Sequence, residues 1–424
     1  MVNGKLKVLV TVFACNPSQG SEPGIGWGWV VSLSKVCQLT VLTTSCNRPE
    51  IERAQKEGAC VEAEFIYLDV ASWPERLNQR GRGKLGVLVR LVLWQYQVKK
   101  QLTEIVKSRD FDIFHHVTLG AFRMPFSVSA HGVLSVVGPV GGCEEFPEQL
   151  LPEFAPRIRR KEIFRNWMNR FHTRYGVGMS RYQNVDLTLS CTKEMSQAFA
   201  KWGVKSPVFP NIGMPGTPSD LPVRGESLGS IQAGSGLRLL FVGNLLYWKG
   251  LELALLAMQK LPENVSFSII GGGADKDVLE ADICRLGLQD RVELVGSVPR
   301  HELLKMYADY DLFFFPSLHD SGAMCVIEAM QAGLPVVCLD AGGPGISVTE
   351  ECGCVVPLGP KMDVVLALSQ AVMYYLDNPS ALSRHGAEAC LRVRDAYHWD
   401  TSAQRMVAYY QEALDNHHDG SFGS

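Results

Sequence analysis

The chain has 424 residues, 46% of them apolar and 20% charged, and a formal net charge of −3. That length supplies about two cores of 200 residues each and is too ordinary in composition for a disordered, collagenous or disulfide-stapled protein. No run of about 18 uninterrupted apolar residues is present and the first 30 residues lack the basic-then-apolar pattern of a leader, so the cytosol is the expected compartment.

The twelve cysteines are scattered without a C-x-x-C pair, which argues for reduced thiols over a zinc site. Charge is uneven: from Ala71 to Arg181 there are 18 Lys/Arg against 9 Asp/Glu, so this stretch carries +9 and the remainder −12. An anionic neighbour is expected for the first half, either substrate phosphate or a membrane surface.

The first strand, 7–13, runs into ACNPSQGSEPGIGWGW, residues 14–29. A β-branched strand followed by a glycine-rich loop and a helix is how a dinucleotide site begins. Two features argue against one here. The glycines at 20, 24, 26 and 28 miss G-x-G-x-x-G, and the second strand, 37–43, leads into threonines and serine where an acid would hold a ribose. Further strands are expected at 64–68, 111–117, 134–138 and 186–190, with longer helical segments between them. Asp110-Phe-Asp112 is a literal D-x-D, but it opens a strand and is read as coincidence. Arg157-Ile-Arg-Arg-Lys161 with Phe164 and Trp167 reads either as a solvated face or as a contact with anionic headgroups.

In 211–237, 13 of 27 residues are Gly, Pro or Ser, the composition of an interdomain linker. Strands follow at 237–243, 265–270, 291–295, 311–315 and 335–339. Short apolar strands alternating with helices in both halves predict an α/β protein of two Rossmann-like, doubly wound parallel-sheet domains. The expected division is 1–212, a linker over 213–236, 237–395, a helix over 396–415 that either closes the second domain or crosses back onto the first, and a disordered tail over 416–424.

The stretch FFFPSLHDSGAMCVIEAMQAGLPVVCLDAGGPG, 313–345, carries the chemistry. A helix is expected from about Ser321, whose free N–H groups at Gly322 and Ala323 suit a phosphate. Glu328 falls about two turns on, roughly 12 Å from Asp320 at helical rise. Lys249 stands at an expected helix start, where a cation is unfavourable without an anion nearby.

Asp320, the run Glu328-Ala-Met-Gln-Ala-Gly-Leu-Pro-Val-Val337, and Gly342-Gly343 resemble the E-x7-E, EAMA-x-G-x-PVV and GG signature of the retaining family 4 glycosyltransferases. Phe241-Val-Gly-Asn-Leu-Leu-Tyr-Trp-Lys-Gly250 is similar to that family's FVGRL-xxx-KG, and Val292-Glu-Leu-Val-Gly296 to its strand beside the nucleobase. Two departures stand out. Asn244 replaces the usual Arg, losing a bidentate cation whose charge Arg123 could supply instead, and Asp320 is one methylene shorter than Glu.

The resemblance implies the GT-B fold, with two domains facing a cleft, and transfer of a sugar from a nucleotide-diphospho-sugar to a glycan, lipid-linked or small-molecule acceptor with retention. The usual proposal for that family is front-side displacement, with no protein nucleophile, cofactor or metal. It implies donor contacts at Asn244, Lys249, Val295, Asp320, Gly322, Ala323 and Glu328, with Lys249 facing the diphosphate, Asp320 the sugar and Glu328 the ribose.

On the first domain it points to His116, at the end of the strand 111–117, as the histidine near the donor sugar. His115 alternates to the other face. Gly24 and Gly26 are expected to offer N–H contacts or clearance to the donor, while Glu22, His115, Gly141 and Glu144 are expected on the acceptor side. No nucleic-acid partner is expected, and a peripheral contact at the inner membrane face through the basic stretch stays open. The alternatives are a nucleotide-sugar epimerase of related fold and a non-catalytic sugar-nucleotide-binding protein.

Overall fold

In the computed structural model, residues 4–60, 62–69, 83–118, 120–127, 132–176, 178–216 and 236–420 are described. Contact density divides the chain into two units. One comprises Met1–Cys143, Phe171–Gly213 and Trp399–Ser424; the other comprises Glu144–Arg170 and Met214–His398.

The first unit contains β1 (Lys7–Thr11), α1 (Ser21–Val36), β2 (Gln38–Thr44), α2 (Arg48–Lys56), β3 (Glu64–Leu68), α3 (Gly83–Ser108), β4 (Ile113–His116) and β5 (Leu134–Val140). After α4 (Pro156–Tyr175), which starts in the second unit, come β6 (Leu187–Ser190) and α5 (Lys193–Ala200). The six strands lie in the order β3-β2-β1-β4-β5-β6, all parallel. This 3-2-1-4-5-6 order is that of a doubly wound dinucleotide fold. Alternation along β1 sends Val8 and Val10 into one core with Trp29 and Leu33, and Leu9 into another with Phe114, Trp94 and Val98.

The second unit runs β7 (Leu237–Val242), α6 (Leu251–Met258), β8 (Val265–Ile270), α7 (Lys276–Arg285), β9 (Val292–Gly296), α8 (Arg300–Met306), β10 (Leu312–Phe315), α9 (Met324–Gln331), β11 (Val336–Leu339), α10 (Pro344–Ser347), β12 (Gly353–Val356), α11 (Lys361–Asp377) and α12 (Pro379–Arg392). Its sheet order, β12-β11-β10-β7-β8-β9, is the same 3-2-1-4-5-6 pattern. Every strand expected from sequence is present. β12 was not foreseen, because Gly-Cys-Val-Val is too short and too close to its neighbours to show a period.

The last helix, α13 (Trp399–Gly420), crosses back onto the first unit. Lys35 pairs with Asp400 at 2.7 Å, Tyr410 bonds His115, and Trp399 lies edge-on to Trp29 at 5.4 Å. Gly28 makes this possible: a Cβ there would stand 2.3 Å from the Trp399 ring. The helix continues through 416–420, part of the expected tail; 421–424 and the linker residues 217–235 lie outside the described residues.

Candidate functional site

Two loops at the carboxyl ends of β7 and β10 build the site of the second unit, the place where open α/β sheets bind ligands. The first follows β7. Gly243 and Gly271 pass so closely that a Cβ on Gly271, which has φ +145°, would meet the Gly243 carbonyl at 1.9 Å. Asn244 is exposed on this loop. A 3-10 turn, Tyr247–Lys249, then ends at Gly250 with φ +69°, where a Cβ would stand 1.9 Å from the Pro316 carbonyl. Only glycine fits either position.

The second loop, 316–323, is tied to the first. Leu318 N–H donates to the Trp248 carbonyl at 2.8 Å, and the Lys249 ammonium meets Asp320 Oδ2 at 2.7 Å. Ser317 Oγ donates to the same Asp320 oxygen at 2.7 Å, and Lys249 lies over the Phe315 ring at 5.1 Å. The Gly342-Gly343 pair supports Asp320 from below: Gly343 N–H donates to its carbonyl at 2.7 Å, and a Cβ on Gly342, φ +57°, would stand 2.2 Å from that oxygen. Lys249 and Asp320 are therefore brought together, at side-chain exposures of 12% and 21%.

The helix after this loop begins later than expected. Ala323 takes a left-handed conformation, φ +69° and ψ +74°, and α9 starts at Met324. A non-glycine residue there costs on the order of 1 kcal/mol or more, which the surrounding loop must offset. Glu328 is thus about one turn into α9, not two, and the 12 Å spacing derived from continuous helix does not apply. Its side chain is buried, with Oε1 2.5 Å from Arg300 Nη2 and Oε2 accepting from the Tyr307 hydroxyl at 3.2 Å. Each carboxylate oxygen has two lone pairs, so capacity for a diol remains. Val295 is half-buried in β9, whose end is fixed by Gly271 N–H donating to the Gly296 carbonyl at 2.8 Å.

The first-unit residues fare differently. Gly24 and Gly26 do not form a loop. They lie inside α1, Gly24 in its first turn and Gly26 beyond it, and a Cβ on Gly26 would meet the Ala14 carbonyl at 2.0 Å. Their lack of a Cβ lets α1 pack closely on the 14–19 segment. Glu22 stands partly buried in the first turn of α1.

His115 is buried with both ring nitrogens engaged: Nδ1 is 2.6 Å from the Tyr410 hydroxyl and Nε2 2.8 Å from the Gly138 carbonyl. With both nitrogens engaged inside the unit, it has a structural role and not an acceptor-side one. His116 faces the other way, its Nδ1 2.7 Å from Thr11 Oγ1. Burial lowers the pKa of His115 to about 4 and that of His116 to about 3, so both are neutral at pH 7.

Gly141 is held by backbone bonds to Gly120 and Phe122. Glu144 belongs to the second unit, with its carbonyl accepting from Arg165 and Asn169. Arg123 lies over the Phe122 ring at 5.4 Å in the first unit. The D-x-D acids are structural: Asp112 accepts from Lys7 N–H at 2.8 Å and Asp110 pairs with Lys7 Nζ. Among the described residues no group of three or more His, Cys, Asp or Glu is placed to hold a metal.

Residues 232–388 match the family described as glycosyl transferases group 1. The segment holds the β7 loop, Lys249, Asp320, Glu328 and the Gly342-Gly343 support.

An uncharacterized glycosyltransferase of Methanocaldococcus jannaschii is 33% identical over 195 residues, 42% of this chain and 45% of that protein. A lipopolysaccharide core biosynthesis mannosyltransferase of Rhizobium leguminosarum is 29% identical over 181 residues, 41% of this chain and 50% of that one. The chain spans about half the length of the curated relatives it matches. A crystal structure of Anabaena HepE in complex with UDP and glucose superposes with a TM-score of 0.57 over 96% of this chain and 99% of that one, at 16% identity. The fold is GT-B.

The glycosyl transferase segment starts at residue 232, so several residues packed against its loops fall outside it. Sequence reasoning missed Arg300 and Tyr307, the partners of Glu328. It also missed Glu162 and Arg165 of α4, which reach Tyr247 and His319. An unexplained buried acid at Glu328 was the one available hint, since a carboxylate amid apolar neighbours requires partners.

Proposed function

We propose that the chain transfers a sugar from a nucleotide-diphospho-sugar to a glycan, lipid-linked or small-molecule acceptor, with retention of configuration. The observation that carries this reading is the 2.7 Å Lys249–Asp320 pair set on facing loops, followed by buried Glu328, all inside the glycosyl transferase segment. Lys249 would neutralise charge building on the departing diphosphate, and Asp320, freed by that competition, would accept from sugar hydroxyls. Glu328, polarised by Arg300, would hold the ribose diol, and Val295 would lie along the base. Gly322 and Ala323 would offer backbone N–H groups to the phosphates.

His116, neutral in its buried setting, would act as a hydrogen-bonding group and not as an acid. Electrostatic stabilisation by Lys249 makes the reaction metal-independent in this reading. The UDP and glucose held by the Anabaena protein support a uridine donor as the first to try.

A peripheral contact with an anionic membrane surface is supported by α4. It exposes Ile163, Phe164 and Trp167 at 50, 62 and 54%, beside exposed Arg157, Arg159 and Arg160. No helix among the described residues is long and apolar enough to cross a membrane. The expected site of action is the inner, cytosolic face.

The test is release of nucleoside diphosphate from a panel of nucleotide sugars. At least one donor should release product, and Glu328→Ala should lower turnover or donor affinity about tenfold or more, the scale of one charged hydrogen bond. Unchanged kinetics in Glu328→Ala would remove its ribose role.

A further inference from the structure

Helix α4 is built inside out. Its buried positions are Glu162, Asn166 and Asn169, whereas Ile163, Phe164 and Trp167 are exposed. Burying the Glu162 carboxylate beside a half-buried Arg165 guanidinium carries a desolvation cost that only well-placed partners offset. What these charges reach is the pair of loops that carry Lys249 and Asp320.

Arg165 is held in three directions. Its Nη1 donates to His319 Nε2 at 2.5 Å, Nη2 donates to the Glu144 carbonyl at 3.0 Å, and Nε lies 3.2 Å from Glu162 Oε2. A planar guanidinium fixes the angles among these contacts, so none can shift alone. Glu162 Oε1 in turn accepts from the Tyr247 hydroxyl, and Lys161 donates to the same hydroxyl at 3.1 Å while lying over the rings of Tyr247 and Trp248 at 5.2 and 5.5 Å.

The helix therefore grips the 247–249 turn through Lys161 and Glu162, and the 316–323 loop through Arg165. Between the two loops, His319 stacks on Trp248 at 5.8 Å and meets the edge of Phe146 at 6.3 Å. One residue further along each loop stand Asp320 and Lys249. Fixing the His319–Trp248 rung fixes the ion-pair rung beside it.

We propose that Arg165 is a positioning residue for the Lys249–Asp320 pair, acting through His319, so that helix α4 sets the geometry of the donor site. The proposal rests on the reading of that pair as donor-binding. Glu162 and Arg165 precede the glycosyl transferase segment, which begins at 232, so the clasp is not part of the matched motif set.

Arg165 can only donate, and its Nη1 lies 2.5 Å from His319 Nε2 against 3.4 Å from Nδ1, so Nε2 is the accepting nitrogen and the ring proton sits on Nδ1. Protonation would set a cationic ring against Arg165, with Lys161 and Lys249 also close. The acids on the packed elements are Glu162, which pairs with Arg165 and accepts from the Tyr247 hydroxyl, and Asp320, which pairs with Lys249. Burial, then Arg165, lowers the His319 pKa to about 3.

The test compares the full chain with Arg165→Met, Arg165→Lys and the double variant Arg165→Met/His319→Phe. Three readouts are used: histidine side-chain nitrogen NMR against pH, amide hydrogen exchange of 247–249 and 317–320, and calorimetric titration with UDP at pH 7.5 and 6.0. In the wild type His319 should stay neutral down to pH 5. In Arg165→Met it should titrate nearer the ordinary 6.5, both loops should exchange faster, and UDP affinity should fall about tenfold at pH 7.5, the scale of a lost charged hydrogen bond. Affinity should fall further at pH 6.0, because a protonated His319 repels Lys249 beside it. The double variant should lose that pH dependence, and Arg165→Lys should recover part of the affinity.

A wild-type His319 that titrates near 6.5, or Arg165→Met loops as protected as those of the wild type, would overturn the clasp. UDP binding by Arg165→Met equal to wild type at both pH values would overturn the positioning role. A wild type that binds no UDP would count against the uridine donor, while hydrogen exchange would still decide the clasp.

Discussion

Three imidazoles, His115, His116 and His319, sit in the folded chain with pKa values of about 4, 3 and 3, each lowered chiefly by burial. The sign of the consequence follows directly. Below the ordinary 6.5 an unfolded histidine takes up a proton that the folded one refuses, so stability falls as pH drops from about 6.5 toward 4. Urea midpoints should therefore decline measurably between pH 7 and 5, a window that lies above most carboxylate titrations. A flat midpoint over that range would show that these rings ionise freely. At this same scale, legibility tracked sequence distance. Lys249, Asp320 and Glu328 were readable because short motifs surround each of them. Arg300 lies 28 residues before Glu328, and Arg165 lies 154 before His319, separations at which no periodic signal joins partners.

Among the elements, α1 and α13 show how a glycine pattern can be misassigned. The glycine-rich run after β1 suggested backbone approaching a donor at Gly24 and Gly26, yet the absence of Cβ at Gly26 admits the Ala14 carbonyl and at Gly28 the Trp399 ring. Close backbone approach is visible in sequence; what approaches is not. The cost of losing that contact is testable. Trp399 is 5% exposed and packs on Trp29, Gly28 and Gly213, so Trp399→Ala should destabilise by about 3–5 kcal/mol in chemical denaturation. A loss below about 1 kcal/mol would mean that α13 is not anchored there. The helix start at Met324 was missed for a similar reason: Ala323 in a left-handed conformation delays α9, and alanine gives no warning of it.

For the whole molecule, alternation of short apolar strands with helices was enough to predict two doubly wound sheets, and both have the 3-2-1-4-5-6 order. Sequence could not foresee that Glu144–Arg170 would pack with the second unit, because a helix with buried polar and exposed aromatic residues inverts the pattern used to assign helices to cores. The donor-site reading rests mainly on residues within 232–388, and its central claim is that Lys249 meets the charge of the departing diphosphate. The direct measurement is nucleoside diphosphate release, donor by donor, by wild type and Lys249→Met. Release from at least one nucleotide sugar by the wild type, cut on the order of 10²-fold or more in the variant, is predicted. Equal release by both, or none from any donor by the wild type, would contradict the account.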